Sequence, residues 1–486
     1  MFTLSLLNLK KGRKEFLGNS RFYCDIMGIH YEVTGSCILV IVKLPIGVTI
    51  KFVVDCGLFQ ESDYQELNRT LPFDPENIEF CVITHNHVDH IGRIPFMVKN
   101  GFERPIYTTY STSKLMPFAL QDCEKVLRDT AKRNNCKPLY SEKDVEKTIS
   151  LVKPCEYNQT FNADEHIKVT FLGNGHLMGA SMIFVQISYP EYEDINLLFV
   201  GDFNYKNQFF DVDPIPEEIL NKPLTIIQES TYGDMDSTEI IECFEENILK
   251  AIEEEKSIIV PVFSLGRSQE ILYKIKCMQD EGKLDVDIPI YLDGKLALKY
   301  TDLYIKDGLD IKPEMRNFIP QNLTYVDKLK RPQVLYDYKT KIVLTTSGMG
   351  SYGPAQVYIP EYIQRKNALI HFTGYTAEGT LGAKLKNAKI GEAVEVGAIV
   401  VRKRAEVKYT TEYSAHAKAD EMIKFLQQFK NIKLVLVNHG ENNTKKIFSE
   451  RILNEVETKY VGILGRDYFF RVNPYGLQKT LSTKFR

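Results

Sequence analysis

Thr84-His85-Asn86-His87-Val88-Asp89-His90-Ile91-Gly92 is the stretch on which the fold turns. The chain has nine histidines in 486 residues, and three of them stand here within six positions, with Asp89 between. The apolar run Phe80-Cys81-Val82-Ile83 just before it reads as a strand. In an extended chain, residues two apart share a face, so His85, His87 and Asp89 are expected to start on one side. Imidazole and carboxylate are the ligands that borderline divalent metals such as zinc prefer. A polar loop on a strand end is the plainer alternative, but packing alone seldom calls for four candidate ligands in six residues.

Working outward, candidate partners recur in one kind of place, a turn after an apolar run. Asp55 follows Phe52-Val53-Val54, and Asp202 follows Leu197-Leu198-Phe199-Val200-Gly201. Glu229 ends Leu224-Thr225-Ile226-Ile227-Gln228, and His439 ends the run that begins at Lys433. His176 lies in Gly173-Asn174-Gly175-His176, and His416 in Tyr413-Ser414-Ala415-His416-Ala417, just before a helical pattern. Ligands in α/β folds gather at the carboxyl ends of strands. One such residue is usually a cap or turn, but six beside this cluster are hard to explain as capping.

Strands are expected at 80–84, 167–172, 181–187, 197–200, 224–228, 257–263, 288–292, 341–345, 368–372 and 433–437. Helical spacing falls at 268–280 and 417–429. This alternation predicts an α/β architecture, and 486 residues predict more than one domain. A net charge of −3 gives no global basic footprint, so nucleic-acid contact would need a local groove. Nine cysteines without a CxxC pair or a secretory leader predict reduced thiols and a cytoplasmic protein. The most apolar segment, 37–48, is broken by Lys43 and Pro45, so no membrane span is expected.

In order, these motifs resemble the β-CASP family of metallo-β-lactamase-fold nucleases, in its short bacterial or archaeal form of RNA-processing exonuclease and endoribonuclease. The resemblance runs from about Gly28 to Glu441. It rests on Asp55-Cys56-Gly57, the histidine signature, Gly175-His176, Gly201-Asp202-Phe203 and Glu229-Ser230-Thr231-Tyr232-Gly233. It continues through Pro261-Val262-Phe263-Ser264-Leu265-Gly266-Arg267, Ser347-Gly348-Met349, and the loop Gly374-Tyr375-Thr376-Ala377-Glu378-Gly379-Thr380-Leu381-Gly382. Ser414-Ala415-His416 and His439-Gly440-Glu441 close it. Two departures stand out: Asp293-Gly294-Lys295 replaces Asp-Ser-Pro, and Gly350-Ser351-Tyr352-Gly353 lacks adjacent glycines.

The resemblance implies an αββα sandwich with an inserted α/β domain whose parallel sheet is flanked by helices. Its sandwich would comprise 1–233 and 413–486, with 1–20 as an extension, and its insert 234–412. It further implies two zinc ions per chain, His85, His87 and His176 holding one, and Asp89, His90 and His439 the other, with Asp202 bridging. Catalytic roles would fall to Asp89, to Asp55 as a positioning group, to His416 as general acid and to Glu229 as its partner. Ser414, Gly379, Thr380 and Gly382 are implied phosphate contacts, with tight packing an equal reading of the glycines. The implied activity is two-metal hydroxide attack on single-stranded RNA, leaving 5′-phosphate and 3′-hydroxyl ends. The chemistry does not use the 2′-hydroxyl, so DNA stays open as substrate, as does a silent RNA-binding scaffold. Homodimers occur among such relatives. His30, His166 and His371 are expected to be ordinary strand, loop or core residues. Arg402-Lys403-Arg404 resembles a phosphate contact, though three basic residues on one strand are usually just solvated.

Overall fold

The computed structural model describes residues 21–482 except 238–241, 309, 375, 377, 378, 398 and 411. The extension expected at 1–20, and Tyr375, Ala377 and Glu378 of the loop motif, lie outside the described residues. The chain divides into two units, Met1–Ser237 with His416–Arg486, and Thr238–Ala415.

The first unit carries an eight-stranded and a seven-stranded sheet. Its strands are apolar on both faces, as sheets covered on both sides require. In Thr49–Val54, Phe52 and Val54 face a core shared with the other sheet, where they meet Phe171, Ile183, Val185 and Leu436. Val53, one position out of phase, turns to the opposite side with Met97, Met116 and Leu120 of the helices Ile94–Lys99 and Tyr110–Arg133. The second sheet does the same with Ala419–Leu426 and Asn442–Glu455, whose Met422, Phe425, Phe448 and Ile452 cover Leu198 and Val435. The layers are therefore helix, sheet, sheet, helix.

Parallel pairing sets where the site falls. Thr49–Val54 lies parallel to Phe80–Val82 with Val54 opposite Val82, so Asp55 and the histidine stretch leave the sheet at one edge. In the other sheet Leu224–Glu229 lies between Ile195–Phe199 and Ile432–Asn438, parallel to both. Glu229 is opposite Asn438, so Asp202, Glu229 and His439 also leave at carboxyl ends.

The second unit has a six-stranded sheet, all parallel, in the order Leu323–Val326, Ile290–Asp293, Lys341–Thr345, Ser257–Pro261, Ala368–Phe372, Glu406–Tyr409. A hairpin of Ala393–Val396 and Ile399–Arg402 precedes its last strand. No helix among the described residues is long and apolar enough to cross a membrane.

Candidate metal centre

The strand before the histidine stretch ends at Val82, and Val88–Ile91 is a helical turn for which His87 is the N-cap. The expectation of one extended face therefore fails at Asp89, because the chain coils after His87. The turn divides the motif. His85 and His87 face His176 and Asp202, while Asp89 and His90 face His439.

The outer ring nitrogens of His85, His90 and His439 have fixed partners. His90 Nδ1 donates to Asp55 Oδ2 at 2.8 Å, and Asp55 also accepts from Thr84 N at 2.8 Å and Thr84 Oγ1 at 2.7 Å. Thr84 Oγ1 lies 3.0 Å from His85 Nδ1, and Thr231 Oγ1 lies 3.0 Å from His439 Nδ1. Such bonds choose the tautomer that leaves Nε2 facing inward. Asn174 accepts from His176 N at 3.2 Å while its amide donates to the Asp202 carbonyl at 2.6 Å, tying two site loops together. Sequence reasoning does not single out Thr84, Thr231 or Asn174. Their one signal is adjacency, since each lies within two residues of a candidate ligand or acid.

Backbone packing is equally constrained. A Cβ on Gly57 would sit 1.5 Å from the Asp89 carbonyl oxygen, so only glycine lets this loop lie on the helical turn. Cys56 N donates to His90 O at 2.7 Å, and Arg93 N to Cys56 O at 2.8 Å. Asp55 itself has φ of 59°, a left-handed conformation that Asp and Asn tolerate best among side-chain-bearing residues.

The inner atoms converge without satisfying one another. His85 Nε2 is 3.1 Å from His87 Nδ1, His176 Nε2 is 3.3 Å from His87 Nδ1, and His90 Nε2 is 3.3 Å from His439 Nε2. Asp202 Oδ2 is 3.4 Å from His85 Nε2, and Oδ1 is 3.3 and 3.5 Å from Nε2 of His90 and His439. Asp202 Oδ1 is nevertheless buried with no hydrogen bond. As neutral rings, His85, His90 and His439, whose Nδ1 is already engaged, would point Nε2 lone pairs at their neighbours. A cation removes that conflict, and a divalent ion held tetrahedrally at about 2.0–2.1 Å from nitrogen sets donor separations of roughly 3.3 Å. The donor set fits metal ions, three or four ligands to a group, with Asp202 common to two groups.

His416 stands beside this cluster. Its Nδ1 lies 3.0 Å from both oxygens of Glu229, and its Nε2 is directed inward, 3.9 Å from Asp202 Oδ2. Glu229 is buried and also accepts from Phe203 N at 2.5 Å and Thr231 N at 3.3 Å. Burial works against the charged ring of His416, but the carboxylates of Glu229 and Asp202 outweigh it and push its pKa up to about 9. His85 moves the other way, well below the usual histidine range, through burial and then the charge on His90.

The implied phosphate contacts belong to the second unit, where Thr380 and Gly382 carry structural work. Thr380 caps Leu381–Asn387 by accepting from Ala383 N. Gly382 is buried, and a Cβ would meet Thr376 at 2.6 Å, so close packing accounts for it. Gly379 has φ of 79° with open space around it, and Ser414 lies near the unit's end. His371 is a buried core residue bonded to Asn247 at 3.2 Å, its pKa pushed down to about 4 by burial. His166 bonds Ser188 O at 3.2 Å, and His30 is buried, its ring nitrogens without a hydrogen bond among the described residues.

Comparison with known proteins agrees along the chain. Residues 44–212 match the metallo-beta-lactamase superfamily domain, 268–385 the Beta-Casp domain, and 400–461 the Zn-dependent metallo-hydrolase RNA specificity domain. A ribonuclease of Thermus thermophilus is 28% identical over 85% of this chain and 92% of its own. An RNase J-like protein of Methanocaldococcus jannaschii is 29% identical over 83% and 90%. Integrator complex subunit 11 of Danio rerio is 25% identical over 89% and 70%. Beside a metal-ready donor set at the strand ends, the chain thus carries in order the metallo-β-lactamase, β-CASP and RNA specificity domains of metallo-β-lactamase-fold hydrolases.

Proposed function

We propose that the chain is a ribonuclease that uses two zinc ions to hydrolyse single-stranded RNA, leaving 5′-phosphate and 3′-hydroxyl ends. The observation that carries this reading is the grouping of His85, His87 and His176 with Asp202, and of Asp89 and His90 with His439, around an Asp202 whose Oδ1 is buried and unbonded while His90 and His439 face it. His85, His87 and His176 would hold one ion, Asp89, His90 and His439 the other, and Asp202 both. Such a pair, when bound, supplies Lewis acidity toward a phosphodiester and activates water as a nucleophile at neutral pH.

The remaining work belongs to the chain. Asp55 and Thr231 keep the rings of His90 and His439 turned with Nε2 inward. Glu229 receives Nδ1–H of His416 and so aims Nε2–H at the reacting centre. As the bond from phosphorus to the 3′ oxygen breaks, His416 gives that proton to the departing oxygen. The ring becomes neutral while Nδ1–H stays on Glu229, so the cycle needs only one proton from water to reset. Relatives named as ribonucleases support RNA as the substrate.

The test is cleavage of 5′-labelled and 3′-labelled single-stranded RNA, with DNA of the same sequence alongside. Zinc-dependent cutting of RNA is expected, falling about 10²–10⁴-fold in His416→Ala while bound zinc is unchanged. Cleavage of DNA alone would overturn the substrate, and two bound zincs without any cleavage would overturn the activity.

A further inference from the structure

In the second unit the basic triplet Arg402-Lys403-Arg404 does not behave as three solvated charges. Alternation along the strand turns Lys403 inward, where it is buried and its Nζ donates to the carbonyls of Leu385 and Ala388 at 2.8 and 2.7 Å. These carbonyls close the helix Leu381–Asn387, so Lys403 is its C-terminal cap. Arg402 and Arg404 turn outward and, with Lys366, Ile390, Gly391 and Glu406, line an open groove of about 480 Å³.

The backbone builds that groove. Arg404 N and Ala405 N donate to Ile363 O at 2.7 and 2.9 Å, which fixes Arg404 beside the turn bearing Lys366. Gly391 N donates to Lys403 O at 2.7 Å, and Arg402 donates back to Gly391 O at 2.9 Å. Topology adds a second reason. Ser257 is paired with Ala368 and Leu369 with Glu406, all in parallel, so residues entering these strands share the sheet's amino end. Lys256, Lys366 and Arg404 are those residues.

The charges do not cancel. Glu406 is taken by Lys256 at 2.7 Å, which also pairs with Glu254. Among the described residues, Lys366, Arg402 and Arg404 have no carboxylate partner. Three solvent-facing cations around one groove, with exposed Ile390 at its wall, fit a chain of phosphates carrying apolar bases. The match to the RNA specificity domain also begins at residue 400, in the strand that carries Arg402.

We infer that this groove is an RNA-backbone subsite in which Lys366, Arg402 and Arg404 contact successive phosphates of a long single strand. It lies at the end of the six-stranded sheet opposite its carboxyl-end loops and shares no residue with the metal centre, so its part is to grip RNA. The inference rests on the ribonuclease reading. The test uses the zinc-loaded chain and the triple variant Lys366→Gln, Arg402→Gln, Arg404→Gln, on a long and a short single-stranded RNA across a salt series. For the long strand, KM should rise about tenfold with kcat unchanged. The slope of log affinity against log salt should shrink by about 2, near 0.7 for each phosphate that the variant no longer neutralises. The short strand should show neither change. Equal KM and equal salt slope on the long strand would overturn the subsite, as would stronger displacement of RNA by a polyglutamate peptide than by RNA itself. A wild type that cuts neither strand would sink the ribonuclease reading, and anisotropy binding of the same RNAs would then decide the groove by itself.

Discussion

Among the buried polar atoms of the described residues that lack a hydrogen bond, two mean opposite things. Asp202 Oδ1 in the sandwich is ringed by imidazole nitrogens whose far sides are already bonded. Lys341 Nζ, at the start of a central strand of the parallel unit, has a single cation–π neighbour, the Tyr362 ring, with its centroid 5.5 Å away. An orphaned atom is costly in either place. Around Asp202 the neighbours also remain unsatisfied, and one cation would satisfy them together. Around Lys341 no set of donors faces one point; its charged neighbours are Asp337 and Arg365, of opposite sign. Convergence of unmet valences separates a site from a packing cost.

The largest effect should come from breaking that convergence. Asp202→Ala removes the one carboxylate common to two donor groups. Zinc per chain should fall below two, and cleavage should drop about a thousandfold or more, the equivalent of several kcal/mol of lost charge stabilisation. Metal analysis beside a cleavage assay measures both. Full metal content with wild-type cleavage would mean that Asp202 is merely a buried acid.

A smaller loss is expected one layer out. Asp55→Asn keeps a residue that tolerates φ of 59° but weakens the grip on His90 Nδ1. Zinc affinity or activity should fall about 10- to 100-fold, as for other groups that orient a ligand histidine. Unchanged affinity in a competition titration would remove Asp55 from the positioning role.

Much of this arrangement is legible in the chain because each candidate sits directly after an apolar run, and parallel strands carry such residues to one edge. The strands at 181–187, 341–345 and 368–372 have the bounds their apolar runs suggest. Three things are not legible. The helical turn at Val88–Ile91 depends on Gly57 letting another loop press against it, from a distant point in the sequence. The pairing of Tyr468–Asn473 with Tyr23–Gly28 joins opposite ends of the chain, and no local pattern encodes it. Lys403 reads as solvated because its partners, two helix-end carbonyls, appear only once the helix has been placed.

Lys341 gives the smallest effect and the sharpest contrast. Arg93 is as buried, yet its guanidinium donates to the carbonyls of Gly57, Leu67, Thr70 and Gly35 and lies over the Phe59 ring. Lys341 has no such set, and burial pulls its pKa down to about 8, with Arg365 adding to the fall and Asp337 opposing it. Because the folded value is below the unfolded one near 10.5, the unfolded chain binds more protons between about pH 8 and 10.5. Stability of this unit should therefore rise with pH through that window, and the penalty is fully present below it, on the order of 3 kcal/mol. Lys341→Met fills the same space without a charge. It should raise the unfolding midpoint at pH 7 and flatten the rise between pH 8 and 10.5, with cleavage unaltered. A destabilised variant, or one that keeps the wild-type pH dependence, would show that the charge on Nζ is already compensated in the native fold, and the contrast with Asp202 would lose its second term.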